Sequence, residues 1–467
     1  MMLGDALATA IDAGAGIAIE RRTCEVNARA ANNYPTTNGH AEANTLGAIC
    51  AADDRFTIQR TDLMPSTDVR GMIQAGVAAA RQLGPAPDAS PLAQPDEAGE
   101  AGRTHHRLNG AQLPCGGPDL DSMAGPLQRV LSESQEHGLV CAGYVFQRSE
   151  REILALSTGV RRESDLSFAS LGLTVRTADS SRSSFLGRSA RRLSQIDAGA
   201  LFAEARRRLE WTDRHVSLPP GDYEVILDSS AAADLLNRLF WEMHAQAADE
   251  GRTLFSSLPG RGVGEQLYSP LVTVESDPDD PEMPVANYVR TLGDGRSHHD
   301  EQGGVGLLGY LSVFDSGFPI SPATWIDKGV QGPLVCNRSW ARDHDHEFRP
   351  RAENLRMRGS DTKLDDMIAS TKRGLLINSF WYVRAADPSS LLLTGSTRDG
   401  VYLIENGEVT AHVNNFRFTN SAVDVFRRTV EVGNANTTLT REYAMNFVAA
   451  PPIRVETFHL SSVSEAV

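Results

Sequence analysis

Apolar residues recur at helical spacing in three segments of the amino-terminal half of the chain. Residues 68–83 place Val69, Ile73, Val77 and Ala80 on one face of a helix. The same periodicity, with polar caps, predicts helices over 119–137 and 197–211, and extended apolar runs predict strands over 139–147, 152–160 and 167–177. This half of the chain therefore mixes helices with strands.

A strand followed by an apolar helix opens the second half. Residues 224–230, EVILDSS, predict a strand and a turn, and residues 231–247 predict a helix. Ser229 or Ser230 can cap the start of this helix. Its apolar stripe consists of Leu235, Leu236, Leu239, Phe240 and Met243.

Two turn signals follow close together near the carboxy terminus. Asp399-Gly400 and Asn406-Gly407 both suit type I′ turns, in which both central residues need positive φ. The run VYLIE lies between them, so residues 391–418 predict a three-stranded antiparallel meander. The expected fold class is α+β: an amino-terminal α/β region followed by a β-rich carboxy-terminal domain of antiparallel sheet with a few helices.

Composition divides the chain into regions. Residues 84–114 are rich in Pro, Gly, Ala and acidic residues and lack apolar periodicity, which is typical of a linker or long surface loop. A second boundary falls at SLPPG, residues 217–221. The predicted units are an α/β region over 1–83, the linker over 84–114, a middle α/β region over 115–216 and a β-rich domain over 217–467.

Charge and cysteine usage exclude several classes of protein. A net charge of −15 over 467 residues argues against nucleic acid as a partner. No uncharged apolar run reaches the roughly 20 residues of a membrane span, and the first residues lack the basic start of a secretory signal. Five widely spaced cysteines without a CxxC pair predict neither a disulfide framework nor a thiolate zinc cluster. We therefore expect a cytoplasmic protein that does not contact membranes.

Residue chemistry alone identifies no catalytic constellation. His298, His299 and Asp300, like His344 and His346, carry metal donors, but adjacent residues point in different directions and both stretches are polar. We expect solvated loops at both places. The chain lacks GxSxG, and its glycine-rich segments 260–266 and 293–306 carry no Lys-Ser/Thr after the glycines.

A string of motifs in the carboxy-terminal half resembles the TldD/PmbA family, once called modulators of DNA gyrase and related to metallopeptidases. The motifs are PRAENL at 350–355, the block RGLLINSFWYVRAADPSSLLLTGSTRDGVYLIENGEV at 373–409, NNFRFTNSAVDVFRR at 414–428 and PPIRV at 451–455. Weaker blocks lie at 264–278 and 300–305, and the first 80 residues match only in outline. The resemblance therefore covers most of the chain.

The family has two kinds of subunit, and the resemblance assigns this chain to one of them. The TldD kind carries HExxxH on a helix after a strand, with a distal cysteine, and binds zinc. Here the two His positions hold Asn237 and Glu242, the Glu position holds Arg238, and residues 431–450 contain no Cys. The resemblance thus implies a TldE-like (PmbA-like) subunit without catalytic or metal-binding residues of its own, with zinc expected in the partner.

Three functional hypotheses remain at this point. The leading one is a non-catalytic subunit that closes a chamber with a TldD-like partner carrying HExxxH, which hydrolyses a peptide or amide substrate. That substrate is a flexible polypeptide, a leader peptide or a small secondary-metabolite amide, and Arg238 and Glu242 either face it or form an i, i+4 salt bridge on an exposed face. The alternatives are a stand-alone metallohydrolase with ligands relocated to His298, His299, His344 or His346, and a non-enzymatic binding protein.

Overall fold

The computed structural model describes residues 4–99, 120–290, 312–442 and 447–465, with main chain only for 120–124. The helices are α1 Asp5–Asp12, α2 Val69–Ala80, α3 Leu120–Glu136, α4 Ala198–Glu210, α5 Ser229–Trp241, α6 Ala245–Asp249, α7 Arg338–His344, α8 Leu364–Ser370 and α9 Ala422–Arg427. The strands are β1 Ile17–Ala31, β2 Tyr34–Ala52, β3 Arg55–Asp62, β4 Leu139–Leu156, β5 Arg161–Thr177, β6 Ser183–Ala190, β7 His215–Val216, β8 Gly221–Leu227, β9 Val274–Ser276, β10 Ala323–Asp327, β11 Val330–Gln331, β12 Asn354–Met357, β13 Arg373–Asp387, β14 Leu392–Glu405, β15 Glu408–Val413, β16 Phe416–Ser421, β17 Thr429–Val432, β18 Asn436–Thr438, β19 Phe447–Ala450 and β20 Ile453–Val463. Mainly antiparallel sheets with few helices confirm the predicted α+β class, although three strand pairs of the carboxy-terminal sheets are parallel.

The first sheet is antiparallel throughout and has the strand order β3-β2-β1-β4-β5-β6. It joins strands from residues 17–62 with strands from residues 139–190. Helices α1 and α2 cover one part of one face, and α3 and α4 cover another part of the same face. The opposite face packs against the carboxy-terminal half through residues such as Ile19, Phe168 and Tyr288. The boundaries of the predicted domains stay a prediction.

Strand β4 corrects one expectation. The sequence predicted two strands over 139–147 and 152–160, whereas the chain forms one strand from Leu139 to Leu156. The polar stretch between the two apolar runs pairs with β1 and β5, and its charges are satisfied by neighbouring strands. Glu150 and Glu152, for example, both pair with the buried Arg21. Polarity here marks a buried ion-pair network and not a turn.

Part of the predicted linker packs against the folded core. Residues 84–99 form neither helix nor strand, as expected for a loop. Ala93 and Ala98 are nevertheless buried in the cluster that joins the first sheet to the carboxy-terminal half. Residues 100–114 lie outside the described residues.

The carboxy-terminal half contains two further sheets. One has the order β11-β10-β9-β12-β19-β18. In the other, β13, β8, β20, β16 and β14 pair in that order, and β14 pairs again with β13, so the ring of strands closes. Helix α5 packs against β13 of the ring and β19 of the open sheet. It is therefore enclosed, with nearly every residue buried.

The predicted meander over 391–418 is wrong at its first turn. Asp399-Gly400 lies inside the continuous strand β14, where φ is positive at both residues and the pairing with β13 shifts register. Some β-bulges use positive φ, as a type I′ turn does, so the dipeptide alone does not distinguish a bulge from a turn. Asn406-Gly407 does form the turn between β14 and β15.

Candidate functional site

Helix α5 begins directly after β8, as the sequence predicted, but its cap differs by one residue. Asp228, and neither Ser229 nor Ser230, is the N-cap, and its carboxylate accepts a 2.7 Å hydrogen bond from the backbone N–H of Ser229. The same carboxylate pairs with Arg208 of α4, which is also buried. An ion pair between two helices thus fixes where α5 starts.

The predicted helix over 231–247 is interrupted at its end. Helix α5 stops at Trp241, and a separate short helix, α6, starts at Ala245. Between them the backbone leaves the helical pattern: Val335 N–H donates to Met243 C=O, and Ala245 N–H donates to Val335 C=O. This strand-like pairing takes the main-chain groups that a continuous helix would use.

The three positions singled out by the resemblance lie at the carboxy-terminal end of α5. Asn237 is buried at 1% exposure. Arg238 Nη2 lies 3.7 Å from Glu242 Oε1, and the Arg238 guanidinium lies 5.5 Å from the centre of the Trp241 ring. Burial raises the pKa of Glu242, and the charge of Arg238 opposes that rise. The i, i+4 pair of the second alternative therefore forms, but on a largely buried face and not on an exposed one.

Further basic groups surround this end of the helix. The buried guanidinium of Arg351 lies 5.4 Å from the ring centre of Phe240 on α5. His244 is buried beside it, and burial together with the Arg351 charge lowers the pKa of His244 well below its usual value. Arg351 lies in the PRAENL motif, but sequence reasoning did not place it beside α5, because more than one hundred residues separate the two.

These residues do not fit zinc. An amide is a weak zinc ligand, and Arg238 stands where the metallopeptidase pattern places the glutamate base. Arg238 and Arg351 would both repel a dication in a buried site where charges are poorly screened. We therefore derive no metal chemistry from α5.

The segment over 431–450, where the resemblance places the distal cysteine of the TldD kind, has described residues that contact α5. Ser230 Oγ donates a 2.9 Å hydrogen bond to Leu439 C=O, and Glu442 N–H donates a 3.2 Å bond to the carboxylate of Asp234. Residues 443–446 lie outside the described residues. Burial raises the pKa of Asp234 well above its usual value; the Glu442 charge adds to the rise, and its N–H and Arg441 oppose it.

An aromatic surface borders this junction. Trp381 and Tyr382 are 44% and 58% exposed at a bulge in β13, where Tyr382 has φ of 58°. Glu442 accepts hydrogen bonds from the N–H groups of Tyr382 (2.7 Å) and Val383 (3.0 Å), which ties the bulge to the distal segment. The guanidinium of Arg398 lies 4.9 Å from the centre of the Trp381 ring. We call Trp381, Tyr382 and Arg398 the bulge surface. All three lie in the motif block 373–409, but sequence reasoning did not predict that they come together.

The histidines of the alternative hypothesis take structural contacts where they are described. The His344 ring stacks on Trp340 at 3.6 Å between ring centres. His346 Nε2 lies 2.8 Å from Asp249, whose carboxylate also accepts hydrogen bonds from Trp340 and Arg261. His298 and His299 lie outside the described residues. The described pair therefore gives no support to relocated metal ligands.

Comparisons with known proteins agree with the architecture. Residues 220–462 match the family model of the PmbA/TldA metallopeptidase C-terminal domain, which is more than half of the chain. The structure of TldE from Thermococcus kodakarensis is similar with a TM-score of 0.76 at 16% identity, over 97% of this chain and 98% of that one. A candidate modulator of DNA gyrase from Thermotoga maritima has a TM-score of 0.73 at 16% identity, over 98% of both chains. None of the curated proteins compared with the chain matches it.

Among the described residues, no helix is both long and apolar enough to cross a membrane.

Proposed function

Because the chain belongs to the PmbA/TldD metallopeptidase family, we propose that it is the non-catalytic, TldE-like subunit of a heteromeric zinc metallopeptidase or amidohydrolase. The TldD-like partner would carry HExxxH and hold the zinc. This chain would close the chamber and shape the access of a peptide or amide substrate. We place the complex in the cytoplasm.

The observation that carries the proposal is the chemistry at the end of α5. Asn237, Arg238 and Glu242 replace two imidazoles and a general base, and Arg238 is already engaged with Glu242. Arg351 adds a second buried cation next to the helix. A helix with these residues is suited to structural support and poorly suited to activating a metal-bound water.

The bulge surface supports a role in handling substrate. Two exposed aromatic rings with an arginine beside them offer a large contact area at a low cost in side-chain entropy. The surface is joined through Glu442 to the segment that lies on α5, so it borders the place where the family builds its site. We assign the bulge surface to contact with an extended substrate, whose side chains would pack on the rings.

Co-expression with a protein that carries HExxxH and a distal cysteine tests the proposal. We expect a stable complex that hydrolyses at least one substrate among unfolded protein, a leader peptide and a small amide. Replacing the partner's HExxxH glutamate by Gln should abolish turnover, whereas E242Q in this chain should leave zinc content unchanged. Turnover by this chain alone, or zinc lost through E242Q, would contradict the proposal.

A second comparison tests the bulge surface. The double variant W381A/Y382A should raise the KM of the complex for a peptide substrate without lowering the yield of complex. Y34A is a matched control, because Tyr34 is also a surface aromatic, at 68% exposure, but lies on the first sheet. Equal KM values for the double variant, Y34A and the unaltered complex would remove the bulge surface from substrate contact.

A further inference from the structure

Three potential metal ligands meet on the hairpin of β1 and β2, far along the chain from α5. Cys24 lies directly opposite Glu42 in the antiparallel register, and His40 precedes Glu42 by two residues. Side chains alternate between the faces of a strand, so residues two apart share a face and directly opposed residues share it too. The register therefore projects all three side chains from one face.

The two ligand-atom separations that involve His40 match those around a tetrahedral zinc ion, and all three ligand atoms lie within 4.8 Å of one another. Cys24 Sγ lies 3.5 Å from His40 Nε2, and His40 Nε2 lies 3.5 Å from Glu42 Oε1. Zinc bonds of about 2.3 Å to sulfur and about 2.0–2.2 Å to nitrogen and oxygen, at tetrahedral angles, place ligand atoms roughly 3.4–3.6 Å apart. Among the residues that the structure describes, these three are the one group of His, Cys, Asp and Glu ligand atoms gathered this closely.

The surroundings leave a coordination position accessible. Strand β3 pairs with β2 only from Thr45 onward, so residues 34–44 form an edge of the first sheet. The side chains of His40 and Glu42 are 39% and 47% exposed, and Cys24 is half-buried. A water molecule can therefore reach an ion held by the three residues, as in open zinc sites.

We propose that Cys24, His40 and Glu42 form a zinc(II) site on the β1–β2 hairpin, with water as the fourth ligand. Thiolate and carboxylate together neutralise the dication, and the neutral imidazole completes a donor set that suits zinc. Binding replaces the thiol proton by the metal and releases that proton to solvent, with no change of oxidation state. The site is independent of α5 and of the proposed partner.

The positive charge of Arg22 opposes binding and provides a further test of the site. Arg22 precedes Cys24 by two residues, and the register places it on the same face. Arg22 is exposed, so its guanidinium can turn toward solvent, but it still raises the local potential. R22A should therefore tighten zinc binding, whereas a site elsewhere in the chain would not respond.

Cobalt titration of the full-length chain tests the site. After the chain is stripped with a chelator, we expect one equivalent of Co²⁺ to produce a thiolate-to-cobalt charge-transfer band that added Zn²⁺ removes. C24S should abolish the band, and H40A and E42Q should each weaken binding by at least roughly 10-fold, on the scale of losing even a supporting contact of a metal ligand. N38A, an exposed change on the same hairpin, should have no effect.

Two results of the cobalt titration would contradict the proposed zinc site. The absence of a charge-transfer band in the unaltered chain, or an unchanged band in C24S, would overturn the site. Circular dichroism of each variant checks that the hairpin variants still fold. None of these results bears on the subunit proposal, because that proposal depends on the zinc of the partner and on α5.

Discussion

Replacing Asp234 by Asn should make the stability of the protein less dependent on pH. Asp234 is completely buried in α5, and its carboxylate accepts the N–H of Glu442. Burial raises the pKa of Asp234 well above the usual value for an aspartate. The native state therefore keeps the proton at pH values where the unfolded chain has lost it. Asn retains the accepting oxygen and nearly the same shape, but it cannot ionise.

The direction and the magnitude of this pH dependence follow from the linkage between proton binding and folding. A carboxyl group whose native pKa is raised stabilises the fold fully below pH 3.8, and this contribution is lost as the pH rises towards the native pKa. Within that window the unaltered protein should lose about 1.4 kcal/mol of unfolding free energy per pH unit relative to D234N. Above the native pKa the difference should level off.

Urea unfolding of both proteins at half-unit steps from pH 4.5 to pH 8 measures this difference. Comparing the two proteins cancels the other titrating groups, and D361N controls for the loss of a charge at an exposed position. A difference between D234N and the unaltered protein that stays constant across the range would refute the reasoning. It would mean that Asp234 titrates alike in the folded and unfolded states.

Three other changes have defined outcomes. D315N should also flatten the pH profile: burial raises the pKa of Asp315 to about 7, so the unaltered protein loses about 3 kcal/mol between pH 4 and pH 7 relative to this variant in urea unfolding. G76A should destabilise by about 1–3 kcal/mol in the same assay, because a Cβ would lie 2.7 Å from Cys50 Sγ; G84A, with nothing within 4 Å, should be neutral, and equal midpoints would refute the clash. Tyr382→Gly should raise the melting temperature by relieving the positive φ at an exposed position, and a lower value would show that the ring stabilises the bulge.

Local signals predicted the elements whose ends are fixed by neighbouring residues. Helix α4 begins at the Asp197 cap within the predicted segment 197–211, and β8 leads into α5 where the apolar strand meets Asp228. In contrast, β4 was split in prediction because its polar centre is paired by Arg21 from another strand. A sequence segment of about ten residues does not predict such ion pairs, because the partner residue lies far away in the chain.

The candidate site likewise combines features that the sequence predicts with features that depend on the packing of the fold. The sequence alone predicts that Asn237 and Glu242 stand at the two His positions of HExxxH and Arg238 at the Glu position, because this depends only on residue types at fixed spacing. The sequence does not predict that Arg351 lies beside α5 or that Asp234 is buried, because both depend on how α5 packs between two sheets. Strand register likewise brings Cys24 to His40 across sixteen residues of hairpin, a spacing that no metal motif specifies.

Zinc analysis combined with a hydrolysis assay, on this chain alone and with its partner, tests the central claim most directly. The C24S variant should be used, so that the hairpin site contributes no metal. The account predicts no stoichiometric zinc and no turnover for the chain alone, but one zinc per complex and measurable hydrolysis with the HExxxH partner. Tightly bound zinc in the isolated C24S chain, together with hydrolysis that E242Q removes, would contradict it.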